Sequence, residues 1–120
     1  MSKKTVVIGA TDNPERYAYA AVRSLQQRKI PVVAVGLKEG WIGETKIHKG
    51  QPPVDDVDTV TMYVGARNQP PLYDYILSLK PRRIIFNPGA ENPDFEKECA
   101  ENHIEVLHAC TLTMLSIGNY

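Results

Sequence analysis

The sequence has no excess of charge of either sign. Its 14 lysine and arginine residues are balanced by 14 aspartate and glutamate residues, so the formal net charge at pH 7 is +0. Proteins that bind nucleic acid usually carry a clear basic excess, because they must neutralise the phosphates of the polymer. We therefore expect no nucleic-acid partner.

Cysteines and long apolar runs are also scarce. Cys99 and Cys110 are the two cysteines, and their apolar surroundings favour reduced thiols over a disulfide framework. No apolar run approaches the roughly 20 residues that cross a bilayer, and the start at Met1 does not read as a signal peptide. We expect one cytoplasmic domain over residues 1–120, with no membrane partner.

Patterns that would indicate catalysis or metal binding are missing as well. No nucleophile, base and orienting group fall on one loop, and no paired carboxylates mark the end of a strand. Cys99 and His103 have a spacing that a metal can use on a helix, but no further pair of ligands completes a site. We expect no metal site and no catalytic residues, which favours a protein that is not an enzyme by itself.

What the sequence does contain is a regular alternation of apolar strands and amphipathic helices. The pattern predicts strands at 6–8, 30–35, 45–48, 59–64, 83–86 and 105–107, and helices at 14–28, 68–79, 93–102 and 111–117. Such alternation is typical of a parallel sheet with right-handed crossovers. We therefore predict a three-layer α/β fold with a mostly parallel five-stranded sheet in the order 3-2-1-4-5.

A sheet of this kind binds ligands at the carboxyl ends of its strands, where the strand order reverses. The predicted order puts that reversal between the strand that ends at Ile8 and the strand that ends near Val64. Four segments should then contribute to one site. They are the loops 9–14, 36–40, 64–68 and 87–92.

The first of these loops has the features of an anion-binding turn. Gly9 allows a sharp turn and the close approach of a ligand. Asn13 is a good N-cap and Pro14 suits a first helical position, so the N–H groups of the next helix would face an anion. Because Asn92-Pro93 repeats the same pattern, a plain strand-to-helix turn is the alternative.

The turn lacks the glycine-rich fingerprint of dinucleotide-binding proteins. It begins Gly9-Ala10-Thr11 rather than G-x-G, and no acid follows the second strand to bind a ribose hydroxyl. Lys38 lies there instead and would suit a phosphorylated ribose. The residues by themselves leave open NADP and any other ligand that carries a ribose phosphate.

Two carboxylates flank the same turn. Asp12 and Glu15 would repel an anion if their side chains pointed inward. Glu15 also suits a first helical turn without any ligand, because an acid there interacts favourably with the helix dipole. The sequence therefore keeps a further alternative, an interaction module whose pocket is no longer used.

The segment from Gly9 to Arg16, GATDNPER, resembles the GASDNPER opening of the small stand-alone CoA-binding proteins, which are related to the N-terminal domain of the succinyl-CoA synthetase α-subunit. The similarity extends over essentially the whole chain. Further points of resemblance, in chain order, are Tyr19, Lys38, Val57-Asp58-Thr59-Val60 and Cys110, and Asn87-Pro88-Gly89 lies where the family has a glutamine-x-glycine turn. The family's late DRC motif is His108-Ala109-Cys110 here.

The resemblance implies a Rossmann-like domain that binds CoA or an acyl-CoA without catalysis, as a sensor, a carrier or a partner subunit. The pyrophosphate would lie at the loop from Gly9, the adenosine phosphate near Lys38, and the pantetheine along loops 64–68 and 87–92. An NADP-dependent or other nucleotide-using enzyme is the alternative, and a protein partner or a homo-oligomer would be compatible with either. The predicted ligand-binding residues are Gly9, Ala10, Thr11, Asn13, Pro14, Arg16, Lys38, Arg67, Asn87, Pro88 and Gly89.

Overall fold

Strands and helices alternate along the computed structural model, which describes residues 3–120. The strands are β1 (Thr5–Ile8), β2 (Val32–Gly36), β3 (Gly40–Ile42), β4 (Thr45–Lys49), β5 (Thr59–Met62), β6 (Arg83–Phe86) and β7 (Glu105–His108). The helices are α1 (Tyr17–Gln27), α2 (Tyr73–Ser78), α3 (Pro93–Glu101) and α4 (Thr111–Ile117). None of the helices in this part of the chain has the length and apolar character needed to span a membrane.

The described strands form a seven-stranded sheet in the order β3-β4-β2-β1-β5-β6-β7. Every pairing in it is parallel except that of β3 with β4. The predicted fold class is confirmed, and the expected order is present as β4-β2-β1-β5-β6. The predicted count of five strands is wrong, because β3 adds a strand that the pattern does not predict, and the strand predicted at 105–107 pairs with β6 as β7, outside the predicted order. β3 has only three residues and begins at a glycine, so it carries no alternation that a pattern could reveal.

Two apolar layers cover the two faces of the sheet. The central strand β1 contributes to both, since Val6 and Ile8 face the layer that holds α2 and α3 while Val7 faces the layer that holds α1 and α4. All four residues of β1 are buried, as expected for a strand covered on both sides. In the sequence of α1, Ala18, Ala21, Val22 and Leu25 repeat at i, i+3, i+4 and i+7, which predicts one inward face, and all four are buried.

Helix α1 begins three residues later than predicted. Its N-cap is Arg16, so the prediction that Asn13 caps it and that Pro14 takes its first helical position is wrong. The Asn13 side chain instead accepts a hydrogen bond from the N–H of Glu15 at 3.0 Å, which closes a turn inside the loop. Asparagine favours such local turns, and here the turn competes with the helix.

The helix predicted at 68–79 is divided. Short 3₁₀ turns at Ala66–Asn68 and Pro70–Leu72 precede α2, which spans only Tyr73–Ser78. Pro71 lacks the amide hydrogen that would donate to the carbonyl oxygen of Arg67 in a continuous α-helix from residue 68, and the α-helix proper starts after both prolines. Helix α3 differs in this respect, because Asn92 caps it and Pro93 takes its first position as the sequence predicts.

Candidate functional site

The reversal of strand order lies between β1 and β5, where the sequence places it. From β1 the chain goes to β2 on one side, and it returns to the other side only with β5. The carboxyl ends of these strands therefore lie next to one another at one edge of the sheet. This carboxyl edge is the expected place for a ligand in a doubly wound fold.

The loop after β1 packs tightly against both neighbouring strands. Gly9 has φ +97°, and a Cβ atom there would lie 3.1 Å from Val64 Cγ2. At Gly36 a Cβ atom would lie 2.2 Å from the carbonyl oxygen of Ala10. Because both positions are glycine, the loop after β1 can approach the carboxyl ends of β2 and β5 with no side chain between them.

Hydrogen bonds within the fold hold this loop in place. The N–H groups of Gly9 and Ala10 both donate to the carbonyl oxygen of Val35 at 2.9 Å, so they serve the sheet rather than a ligand. Further along, the N–H of Asn13 donates to the Thr11 hydroxyl at 3.2 Å. The loop is thus preorganised by its own polar groups.

The N-terminus of α1 stands at the end of this loop without a side-chain cap. Within residues 3–120 no side-chain cap hydrogen bond is made at its N-cap residue, Arg16, and its first turn contains no acidic residue. Helix α3, by contrast, has the Asn92 side chain accepting from the N–H of Phe95 at 3.3 Å, and Asp94 and Glu96 in its first turn. Uncapped N–H groups and the positive end of the helix dipole make the start of α1 the better anion site of the two.

Exposed cations accompany that helix terminus. Arg16, Lys38 and Arg67 follow β1, β2 and β5 respectively, all three are exposed, and none is in an ion pair within residues 3–120. Asp12, which sequence reasoning placed beside the anion, has its carboxylate against Gly40 of β3: Oδ2 lies 3.0 Å from where a Cβ atom there would be. Within residues 3–120 these three cations have no carboxylate within ion-pair distance, and the exposed acids Glu15 and Glu39 adjoin two of them in the chain.

Asn87 lies at the carboxyl edge, but its side chain serves the fold. Its Nδ2 donates to Thr61 Oγ1 at 2.7 Å and to the carbonyl oxygen of Met62 at 2.9 Å, while its Oδ1 accepts from the N–H of Thr111 at 2.8 Å. The residue is 2% exposed. Asn87 thus joins β5, β6 and α4, and both of its donors are used.

The two residues after Asn87 have a different environment. Pro88 and Gly89 are exposed, and Gly89 has φ +95°, which suits glycine. The N–H of Gly89 donates to Glu91 Oε1 at 2.8 Å. This turn is the part of loop 87–92 that is open to a ligand.

Sequence reasoning missed Gln69, which is 0% exposed. Its Nε2 donates to the carbonyl oxygens of Val64 and Ala90, both at 2.8 Å, and its Oε1 accepts from Asn92 Nδ2 at 2.9 Å. Gln69 therefore connects loops 64–68 and 87–92. Its sequence context, a polar stretch before two prolines, carries no signal for a buried residue.

Two further groups near this edge have shifted pKa values. The Tyr63 hydroxyl is buried and makes no hydrogen bond within residues 3–120, and burial raises its pKa to about 12. Cys110 is the N-cap residue of α4. The Thr113 side chain and backbone N–H groups of that helix lower the pKa of the Cys110 thiol, because they favour the thiolate.

The sheet, its two helical layers and the cationic carboxyl edge define a Rossmann-like α/β protein. Within that class, a family model described as CoA binding domain matches residues 3–116, so the chain belongs to this family of CoA-binding domains. The resemblance drawn from GATDNPER is confirmed.

Solved structures agree on the fold. One crystal structure is that of an uncharacterised protein whose sequence is 45% identical to this chain. The two structures have a TM-score of 0.96, and the match covers 100% of this chain and 99% of the other. A Thermus thermophilus protein is 21% identical, with a TM-score of 0.85 and coverage of 99% and 91%. A dinucleotide-forming acetyl-coenzyme A synthetase of Ca. Korarchaeum cryptofilum, in complex with phosphate and ADP, is 16% identical, with a TM-score of 0.72 and coverage of 89% and 25%. No curated protein matches the sequence.

Proposed function

We propose that this protein binds CoA or an acyl-CoA at the carboxyl edge of its sheet, without catalytic activity of its own, as a sensor, a carrier or a subunit of a larger assembly. The observation that carries the proposal is the match of the CoA-binding family over residues 3–116. The uncapped start of α1 at the reversal of strand order supports the location. We further propose that the chain acts as a single domain in the cytoplasm.

The charge of the ligand fits the charge of this edge. CoA carries a pyrophosphate and a ribose phosphate, and the described edge presents Arg16, Lys38 and Arg67 without carboxylate partners. The pyrophosphate would lie at the start of α1, next to the loop from Gly9. Lys38, in the loop after β2, would then face the ribose phosphate.

Binding without catalysis is favoured by the engagement of the polar side chains at this edge. The Thr11 hydroxyl accepts a backbone hydrogen bond, and the His108 ring bonds to Glu96 Oε1 at 2.5 Å. The Asn87 donors are both used inside the fold. Each of these groups thus already has a hydrogen-bond partner within the fold, which supports binding without catalysis.

Calorimetric titration with CoA, dephospho-CoA and NADPH tests the proposal. Wild-type protein should bind CoA, and Lys38→Ala should weaken CoA binding roughly fivefold while leaving dephospho-CoA unchanged, because an exposed charge pair with a phosphate contributes about 1 kcal/mol. Lys97→Ala is the matched control, since Lys97 is an equally exposed lysine on α3.

The other outcomes decide against the proposal. Binding of NADPH without binding of CoA would favour the nucleotide-using enzyme instead. Binding of no ligand would leave the interaction module as the better interpretation. Equal losses in Lys38→Ala and Lys97→Ala would remove Lys38 from the site.

A further inference from the structure

Gln69 makes a buried connection between two loops that are separate in sequence. Its Nε2 reaches the carbonyl oxygen of Val64 at the start of one loop and that of Ala90 in the other, each at 2.8 Å. Its Oε1 accepts from Asn92 Nδ2 at 2.9 Å. Both donors of the amide are therefore used on loop carbonyls, and the side chain is 0% exposed. A residue bonded in this way does not itself contact a ligand.

We propose that Gln69 is a positioning residue that sets the spacing of loops 64–68 and 87–92 for the pantetheine arm of CoA. This inference rests on the proposed function, which assigns the pantetheine to these two loops. Both loops carry exposed residues outside the strands and α-helices, among them Arg67 in a short 3₁₀ turn and Pro88. Ordering such segments costs conformational entropy, so a brace that orders them before the ligand arrives improves affinity.

The brace is itself held rigidly at its Asn92 end. Asn92 Nδ2 also donates to the Tyr73 hydroxyl at 2.8 Å, and the Tyr73 ring stacks on Phe95 with a centroid distance of 4.1 Å. The N–H of Asn92 donates to Glu96 Oε2 at 2.7 Å. Because its partner cannot turn freely, the Gln69 amide has one orientation, with its donors towards the two loop carbonyls.

The nucleotide end of the site has a separate support. The loop from Gly9 is fastened to β2 by the two N–H bonds to Val35, and Gln69 takes no part in them. Loss of the brace should therefore affect the two ends of the ligand unequally. Affinity for CoA should fall, and affinity for adenosine 3′,5′-bisphosphate, which lacks the pantetheine, should not.

The experiment titrates CoA and adenosine 3′,5′-bisphosphate into wild-type protein, Gln69→Met and Gln26→Met. Methionine keeps the length of glutamine and removes its hydrogen bonds. Gln26 is the matched control, because its Nε2 also makes two hydrogen bonds, to the carbonyl oxygen of Ile42 and to Thr45 Oγ1, both at 2.7 Å. We expect Gln69→Met to bind CoA roughly tenfold more weakly and to bind the bisphosphate within about twofold of wild type. Gln26→Met should match wild type with both ligands.

Wild-type affinity of Gln69→Met for CoA would overturn the inference, and so would equal losses for both ligands, which indicate a merely structural role. Should circular dichroism show that Gln69→Met does not fold, Asn92→Ser replaces it, because serine can still cap α3 while the donor to Gln69 is lost. If Asn92→Ser loses affinity for CoA but not for the bisphosphate, the inference is supported. If Asn92→Ser binds CoA as tightly as wild type does, the inference is overturned. If wild-type protein binds neither ligand, the proposed function fails and this inference fails with it. If wild type binds CoA and the variants match it, only this inference fails.

Discussion

The carbonyl oxygen of Ala10 occupies the space of a side chain at Gly36, 2.2 Å from the position that a Cβ atom would take. The carboxyl ends of β1 and β2 can meet only because residue 36 has no side chain. We predict that Gly36→Ala forces the loop after β1 to move and lowers the free energy of unfolding by about 2 kcal/mol, the cost of overpacking a tight site. Urea unfolding followed by circular dichroism measures the change.

Gly65→Ala is the control for that substitution. Apart from its two chain neighbours, no atom of the described part of the chain lies within 4 Å of a Cβ atom built at Gly65, and its φ of −63° is accessible to alanine. It should change the free energy of unfolding by less than about 0.5 kcal/mol. Equal effects of the two variants would contradict the prediction.

The two Asn-Pro pairs should respond differently to the same substitution. Asn92 caps α3 and bonds to Gln69 and Tyr73, so Asn92→Ala should lower the free energy of unfolding by about 2 kcal/mol. Asn13 lies in an exposed loop turn and does not cap α1, so Asn13→Ala should cost less than about 0.5 kcal/mol. Thermal and urea unfolding of both variants would detect the difference. A loss of equal size in Asn13→Ala would contradict the prediction and indicate that Asn13 caps α1.

Tyr63→Phe should stabilise the protein. Its buried hydroxyl has no hydrogen-bond partner within residues 3–120, and an unsatisfied polar group costs about 1–3 kcal/mol. We expect the free energy of unfolding to rise by about 1 kcal/mol at pH 8. Tyr17→Phe, at a tyrosine that is 77% exposed, is the control and should change nothing measurable.

The same pair of variants gives a pH dependence with a definite sign. Burial raises the pKa of Tyr63 from its ordinary value of 10.0 to about 12, so the unfolded chain releases this proton at a lower pH than the folded protein does. The contribution of Tyr63 titration to the free energy of unfolding is therefore fully present below pH 10, and the wild-type protein loses it as the pH rises from 10 to 12. The advantage of Tyr63→Phe over wild type should widen across that interval, and a constant difference would contradict the assignment.

The two cysteines should differ in reactivity. Interactions with Thr113 lower the pKa of the half-buried Cys110 thiol, whereas burial raises that of Cys99 to about 12. Because the thiolate is the nucleophile, iodoacetamide at pH 7.5 should modify Cys110 at least roughly tenfold faster than Cys99. Peptide mass spectrometry gives both rates, and the two should converge in urea. Equal rates in the folded protein would contradict the prediction.

Much of the fold could be predicted because the strands are short, apolar and well separated. The strand at 83–86 and the helix at 111–117 are observed with their predicted bounds. The apolar residues Phe95 and Cys99, which a helix at 93–102 would place on one inward face, are buried in α3. In each case the pattern is local: buried strands read as continuous apolar runs, and helices bury residues at the three-to-four spacing. The pattern does not predict β3, because three residues that begin with glycine carry no such periodicity.

The sequence predicts which loops form the candidate site better than it predicts what each polar residue in those loops does. The carboxyl edge, the turn at Gly9 and the reversal beside β1 follow from the order of strands. The roles of single polar residues do not follow from it. Asn87 acquires its role from partners more than 20 residues away in the chain, and Gln69 joins Val64, five residues away, to Ala90 and Asn92, which are more than 20 residues away. The ligand assignments of the predicted residues stay predictions until the titrations are made.

The sequence by itself determined the parallel α/β sheet, the position of its carboxyl edge and, through GATDNPER, the CoA-binding family, because strand periodicity and a contiguous motif are properties of neighbouring residues. Only the tertiary structure decided which of two identical Asn-Pro pairs caps a helix and which buried amide joins the loops. The reason is that a hydrogen bond depends on where its partner lies in space. Asn92 has Gln69 and Tyr73 beside it, and Asn13 has only its own loop.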